Sequence, residues 1–352
     1  MDNEHPTPSG KTPQERILII RTSALGDVVH TLAFVNRLRK GRPRAHITWV
    51  LHPLAYDLVK HQNNVDRFVV FPRKRSLDAF RKLSKDLGSG SYDVVFMLQV
   101  SVKASLISLA ARGKVKLGFD IRRSRELHWL FSNHRIPHRP AGHTLDQFFE
   151  FLDHRNIPDA PLDSDIHITE AERSYRDKFF RAIERPVISF VIASSNPEKD
   201  WHAEGYARVM DEVDSRLNLQ PIIVGGTSER ETKLADEILG LCRCKPKVAL
   251  EKPVRHTLLQ LAGSRVVVAP DTGPMHMAVA LNVPTVALFG FSDPRRCGPY
   301  RRFHDLLIDK YHLPGEKKGR ITRKTKKDRV RLITPEEVIE KIEYAIQTYN
   351  RP

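Results

Sequence analysis

The sequence predicts a two-domain α/β protein, and three observations carry that expectation. Apolar strand-like runs alternate with amphipathic helical runs along the chain, as they do in parallel sheets built from β-α units. The 352 residues exceed one ordinary core and fit two domains of about 150 residues each. Finally, two glycine-containing turns, Thr22-Ser23-Ala24-Leu25-Gly26-Asp27 and Pro270-Asp271-Thr272-Gly273-Pro274-Met275-His276, each follow an apolar run and open a helical one. In open α/β sheets that junction lies at the carboxyl end of a strand, where ligands collect and helix N–H groups face an anion. Two such junctions imply two nucleotide-binding-like halves facing one cleft.

The elements of the first half follow in order. Residues 17–20 form a strand that passes through the Gly26-Asp27 turn into a helix with apolar Val28, Leu32, Val35 and Leu38, ended by Gly41 and Pro43. Strands are expected at 46–51, 68–71 and 93–98, a helix around 104–111, and a further strand at 115–119. After Phe148 and Leu152 the run Asn156-Ile157-Pro158-Asp159-Ala160-Pro161 is turn-rich and breaks the pattern. The second half reads as strands at 187–192, 221–224, 266–269 and 284–289, with helices at 204–217, 228–241 and 274–281. A closing amphipathic helix over 335–349 carries Val338, Ile339, Ile342 and Ile346 on one face. The domain boundaries expected are a disordered tail at 1–15, a first domain at 16–160, a connection at 161–185, a second domain at 186–332 and a C-terminal helix at 333–352.

Composition narrows the class. Hydrophobic residues make up 40% and aromatics 8%, values of an ordinary globular protein, and no apolar run approaches the ~20 residues needed to span a bilayer. Residues 1–14 are polar and Pro-rich without the layout of a secretory signal, so a cytoplasmic location is expected. The three cysteines Cys242, Cys244 and Cys297 lack C-x-x-C spacing and imply neither a disulfide framework nor a zinc site. The formal charge of +16 favours polyanionic partners: nucleic acid, anionic lipid or a phosphorylated substrate. Residues 317–331 contain nine Lys or Arg and read either as a solvated loop or as a contact with an anionic membrane. That run has no interleaved aromatics, which argues against nucleic acid.

Candidate chemistry gathers at the strand exits. Asp27 follows Gly26 where a carboxylate is close to any ligand over the strand ends, and reads either as a general base or as an ordinary N-cap. Thr22 and Ser23 supply hydroxyls that orient a ligand or cap the turn. In the second half, the Thr272 hydroxyl, the N–H groups of Thr272 and Gly273 and the helix dipole would receive a phosphate. Pro274 suits the first helical position because its missing N–H has no intrahelical acceptor to lose. His276 lies one turn further on, toward the same region. Lys199 sits in the loop after the 187–192 strand, where a cation would offset charge on a departing phosphate. Glu229 follows the next strand's exit, where a carboxylate can accept hydrogen bonds from ribose hydroxyls.

With these residues in place, the chain resembles the glycosyltransferase family 9 heptosyltransferases of lipopolysaccharide core assembly, from Ile17 to about Tyr300. The motifs that carry the likeness are the run from Arg21 to Leu32 containing Thr22-Ser23-Ala24-Leu25-Gly26-Asp27, Ala269-Pro270-Asp271-Thr272-Gly273-Pro274-Met275-His276, Phe289-Gly290 and Ser292-Asp293-Pro294. Lys199-Asp200-Trp201 and Ser124-Arg125-Glu126-Leu127 are similar to the heptosyltransferase I branch, which adds the first heptose to a Kdo sugar. The resemblance implies a GT-B fold: two Rossmann-like domains, the first receiving the acceptor and the second holding the nucleotide sugar. It also implies inverting, metal-free transfer without a cofactor, ADP-heptose being the donor substrate. Under it, Asp27 is the base, Lys199 contacts the diphosphate, Glu229 the ribose, and Asp271, Thr272, Gly273 and His276 surround the phosphates and sugar. Thr22, Ser23 and Gly26 fall on the acceptor side, and Arg125 matches a position associated with the anionic acceptor.

The implied acceptor is a phosphorylated, Kdo-bearing lipid A at the cytoplasmic face of an anionic inner membrane, with the protein peripheral there. Arg73-Lys74-Arg75 and Arg122-Arg123-Ser124-Arg125 would be drawn to that surface, or are simply solvated. No nucleic-acid partner is expected. The alternatives are a family 9 transferase with another sugar or acceptor, and a non-catalytic nucleotide-sugar-binding or nucleic-acid-binding protein on the same fold.

Overall fold

The strands arise where runs of Val, Ile and Leu are buried on both faces, the pattern of parallel sheets sandwiched by helices. The computed structural model describes residues 15–72, 76–88, 90–317 and 319–349. The chain divides into two compact units, Met1–His167 and Ile168–Pro352. The expected tail over 1–14 and the Arg73-Lys74-Arg75 cluster lie outside the described residues.

The first unit comprises β1 (Arg16–Ile20), α1 (Leu25–Gly41), β2 (His46–Leu51), α2 (Pro53–Val59), β3 (Arg67–Val70), α3 (Leu77–Leu87), β4 (Tyr92–Met97), α4 (Val102–Leu109), β5 (Gly113–Gly118), β6 (His134–Arg135) and α5 (Thr144–His154). Its described strands pair in parallel in the order β3-β2-β1-β4-β5-β6. One face of this sheet is packed by Leu18, Ile20, Val50, Val95 and Met97 against Leu83, Leu87 and Ile107. Each such side chain contributes about 1.5–3 kcal/mol by leaving water.

The second unit comprises α6 (Glu170–Arg181), β7 (Val187–Val191), α7 (Ala203–Ser215), β8 (Gln220–Gly225), α8 (Glu229–Leu241), β9 (Lys247–Leu250), α9 (Val254–Ala262), β10 (Val266–Pro270), α10 (Gly273–Ala280), β11 (Thr285–Phe289), α11 (Pro294–Cys297), β12 (Leu307–Asp309) and α12 (Pro335–Thr348). Its order is β12-β11-β10-β7-β8-β9, again parallel. Counted from its own first strand this repeats the order of the first unit. The order reverses between β1 and β4 in one sheet and between β7 and β10 in the other, and a ligand crevice is expected outside the strand ends at each such switch point.

Contacts place three further segments. The residues expected as a connection are shared between the units. Arg37 on α1 donates to the carbonyls of Ile157 and Pro158, and Asn36 to that of Asp163. By contrast, α6 has a capping box of Thr169 and Glu172, and the buried Arg255 guanidinium pairs with Glu172 at 2.5 Å. The C-terminal helix α12 is tied into the second unit: the buried Trp201 Nε1 donates to Ile333 O at 3.1 Å and Arg216 pairs with Glu343 at 3.2 Å.

The basic run 317–331 is neither wholly solvated nor a free cationic arm over its described residues. Glu316 receives Lys326 and Arg329 at 2.8 Å, and these partners hold its carboxyl down to about 2. Lys326 Nζ also donates to Tyr311 O, and Val330 is buried. A Cβ on Gly290 would come within 2.2 Å of the Val330 backbone, so the strand exit and this run lie in direct contact. Backbone pairing and acidic partners pin the run where its composition alone suggested solvent.

Candidate functional site

At the exit of β1 the chain turns into α1, whose N-cap is Ala24 with no side-chain cap, so Asp27 is a first-turn residue and not the cap. Its Oδ2 pairs with Arg21 Nη2, while its side chain remains about one-third exposed. Arg21 itself is buried, donates through Nη1 to Leu98 O at 2.8 Å, and lies over the Phe148 ring at 5.2 Å. A buried guanidinium thus fixes the orientation of a solvent-facing carboxylate. Thr22 is also buried, and both its N–H and its hydroxyl donate to Gln99 Oε1 at 2.9 Å. That pair ties the exit of β1 to the exit of β4, so the Thr22 hydroxyl is engaged with protein. Ser23 is half-buried and Gly26 buried within the first turn.

Of the four residues 122–125, Arg123 is not a surface cation. Its guanidinium pairs with Asp120 and, at 2.7 Å, with Glu150, and donates to Pro137 O, with both carboxylates buried and Arg123 itself half-buried. Arg122 and Arg125 are exposed.

In the second unit the exits of the neighbouring strands β7 and β10 meet through one ion pair. Lys199 Nζ lies 2.7 Å from Asp271 Oδ2 and donates also to Asp271 O at 3.3 Å. Ser292, at the exit of β11, donates to the same carboxylate oxygen at 2.6 Å. Burial alone would push the Asp271 carboxyl up, but the cation of Lys199, then His276, and the two hydrogen bonds hold it below the usual carboxylate range. Thr272 is the N-cap of α10, its hydroxyl accepting Met275 N at 3.3 Å, with Pro274 in the first turn. The N–H groups of Thr272 and Gly273 head that helix, where backbone donors have no intrahelical acceptor. His276 is buried one turn in. The Lys199 ammonium has three donors and, among the described residues, spends two on Asp271.

Glu229 and Glu231 separate cleanly at the start of α8. Glu231 folds back in a capping box with Ser228 and accepts Gly226 N at 2.8 Å. Glu229 is exposed in the first turn and has no ion-pair or hydrogen-bond partner among the described residues. Sequence reasoning assigned no role to Asp200, although it stands beside Lys199. Its carboxylate accepts Ser194 N at 2.7 Å and pairs with Arg230 from α8, and burial pushes its carboxyl up. It holds the loop that carries Lys199. Gln99, Ser292 and Arg230 were likewise missed, because each acts through a partner more than 20 residues away.

Two Rossmann-like units with one strand order constitute a GT-B glycosyltransferase fold, shared with the ADP-heptose lipopolysaccharide heptosyltransferase II of Escherichia coli at a TM-score of 0.76, with 20% identity over 96% of this chain and 100% of that one. The family model for glycosyltransferase family 9 (heptosyltransferase) matches residues 80–326, and the chain belongs to that family. Lipopolysaccharide core heptosyltransferase OpsX of Haemophilus influenzae is 29% identical over 292 residues, 83% of each chain. Lipopolysaccharide heptosyltransferase 1 of Salmonella typhimurium is 26% identical over 303 residues, 81% of this chain and 91% of that one. No helix of the described residues is long and apolar enough to cross a membrane.

Proposed function

We propose that this glycosyltransferase moves heptose from ADP-heptose to the Kdo/heptose inner core of lipopolysaccharide, by an inverting and metal-independent route. The observation that carries the reading is the Lys199–Asp271 pair across the exits of β7 and β10, beside the N-terminus of α10. A nucleoside diphosphate leaving group gathers negative charge as its bond to the anomeric carbon breaks. Lys199 and the first N–H groups of α10 are preorganised positive charge for that moment, and such donors are worth about 10²–10³ in rate. Asp271 is the positioning residue, holding the ammonium while its remaining donor faces the phosphate.

On the acceptor side a sugar hydroxyl is too weak an acid to attack unaided at neutral pH. Asp27, oriented through Oδ2 by Arg21, would take the hydroxyl proton on Oδ1 as the new C–O bond forms, a contribution of about 10²–10⁴. Attack on the face opposite the departing ADP inverts the anomeric centre. Glu229 would accept the ribose hydroxyls, and Arg125 would pair with an anionic group of a phosphorylated Kdo-lipid A acceptor. The relatives named as heptosyltransferase 1 and as a core heptosyltransferase support this donor and acceptor class. A protein peripheral at the cytoplasmic face of the inner membrane would meet such a lipid, its formal charge of +16 aiding contact with that anionic surface.

The test is a transfer assay with purified protein, ADP-heptose, Kdo-lipid A and a panel of other sugar nucleotides, with and without chelator. ADP release with a heptosylated lipid of inverted anomeric configuration, unaffected by chelator, is the expected outcome. ADP binding without transfer to this acceptor would sink the assignment of substrate while leaving the family intact.

A further inference from the structure

Away from the residues considered so far, the fold gathers a second group of chemically capable side chains. Asp211 lies on α7, and Cys242 and Cys244 on the segment that leaves α8. One ligand atom from each, the carboxylate oxygen and the two sulfurs, all lie within 4.8 Å of one another. Their spacing in sequence suggested no metal site, because the third donor comes from another helix.

Asp211 is buried and firmly placed: Oδ1 accepts the Arg243 and Cys244 N–H groups at 2.8 Å each. Those same two bonds turn the backbone so that both thiols, half-buried and free of any disulfide, stand beside the carboxylate. Arg243 also pairs with Asp211 Oδ2, at 3.2 Å, and its side chain is 84% exposed and able to swing away. Cys242 is also the C-cap of α8, where the helix carbonyl end favours positive charge. In a tetrahedral zinc site with Zn–S near 2.3 Å, neighbouring ligand atoms stand about 3.8 Å apart, so the group needs only a small contraction.

We propose that Asp211, Cys242 and Cys244 bind one thiophilic divalent cation of the zinc class, with water as the fourth ligand. Both cysteines coordinate as thiolates, their protons passing to solvent as the metal enters. Helices of β-α units run back along their strands, so the ends of α7 and α8 lie at the edge of the sheet opposite the exits that carry Lys199 and Asp271. The cation therefore clips α7 to the α8–β9 turn and acts on stability, leaving transfer untouched. This inference does not rest on the proposed substrate.

Reduced, metal-free protein is titrated with Zn²⁺ against a chromophoric chelator, and separately with Cd²⁺, whose thiolate complexes give a charge-transfer absorption. One saturable equivalent, the cadmium band and a Zn²⁺-dependent rise in Tm are expected in the wild type. The Cys242→Ser/Cys244→Ser protein should lose all three while keeping its circular dichroism. Asp211→Asn, whose amide oxygen can still accept both N–H groups, should weaken the equivalent and retain the band. Absence of the band, or equal Zn²⁺ uptake by the doubly substituted protein, would overturn the proposal and move any binding to the histidines.

Discussion

The two switch points are built alike and charged oppositely. In the first unit the exits of β1 and β4 are joined by neutral bonds from Thr22 to Gln99, and a buried arginine steers an exposed carboxylate, Asp27. In the second, the exits of β7 and β10 are joined by an ion pair, and a buried carboxylate, Asp271, steers a lysine. One topology thus presents an exposed carboxylate on one unit and a cation beside a helix N-terminus on the other. Backbone topology decides where the chemistry sits, and the buried partner decides which charge faces outward.

That contrast breaks most sharply at the two outward groups. Asp27→Asn should lower kcat by about 10²–10⁴ with ADP affinity unchanged, since a base acts mainly in the transition state. Lys199→Ala should lower kcat by about 10²–10³ and weaken ADP binding as well, because diphosphate is present in both states. Steady-state kinetics beside ADP calorimetry separates the two; equal effects on ADP affinity would erase the division of labour.

Arginines within one loop offer the next comparison. Arg123→Ala leaves Asp120 and Glu150 buried without their cation and should cost about 3–5 kcal/mol of stability in urea unfolding. Arg125→Ala should leave unfolding within about 0.5 kcal/mol and raise KM for a phosphorylated acceptor. An acceptor KM unchanged by Arg125→Ala removes it from the site.

Acid should find the first unit before the second. His128 is fully buried with Nδ1 on Ser105 Oγ at 2.7 Å, and burial pushes its pKa down from 6.5 to about 4. Because the folded value lies below the unfolded one, this contribution is full above pH 6.5 and drains away as the pH falls toward 4. At about 1.4 kcal/mol per unit it amounts to roughly 3 kcal/mol. Asp271, also lowered, has the same sign but loses its contribution only in the carboxylate range. His128→Gln should flatten the stability profile between pH 6.5 and 4, and an unchanged slope would refute the assignment.

The smallest effect separates the two glutamates of α8. Glu231→Ala should cost about 1 kcal/mol by removing the acceptor that caps Gly226 N and Ser228 N, seen in Tm, whereas Glu229→Ala should leave Tm alone and weaken ADP a few-fold. Reversed outcomes would exchange their roles.

Much of the fold was legible. Strands β1, β2, β4, β7, β10 and β11 stand out because both faces are buried, so their apolar runs are nearly continuous. Helices α3, α6 and α9 were not read: α6 has no buried residue and borrows its stability from a capping box and Arg255. Edge strands β6, β9 and β12 are short, half-exposed and without a strong apolar run.

The sequence by itself determined the α/β alternation, the two glycine turns and the candidates Asp27, Lys199, Glu229 and Asp271, because strand exits, helix starts and charge are local properties of a chain. Only the tertiary structure decided what each charge does. Arg21 rather than a cap holds Asp27, Asp271 is a buried partner of Lys199, Arg123 is spent on Asp120 and Glu150, and Asp211 comes to rest beside two cysteines. Those outcomes depend on which side chains burial forces together across dozens of residues, and no local pattern records that.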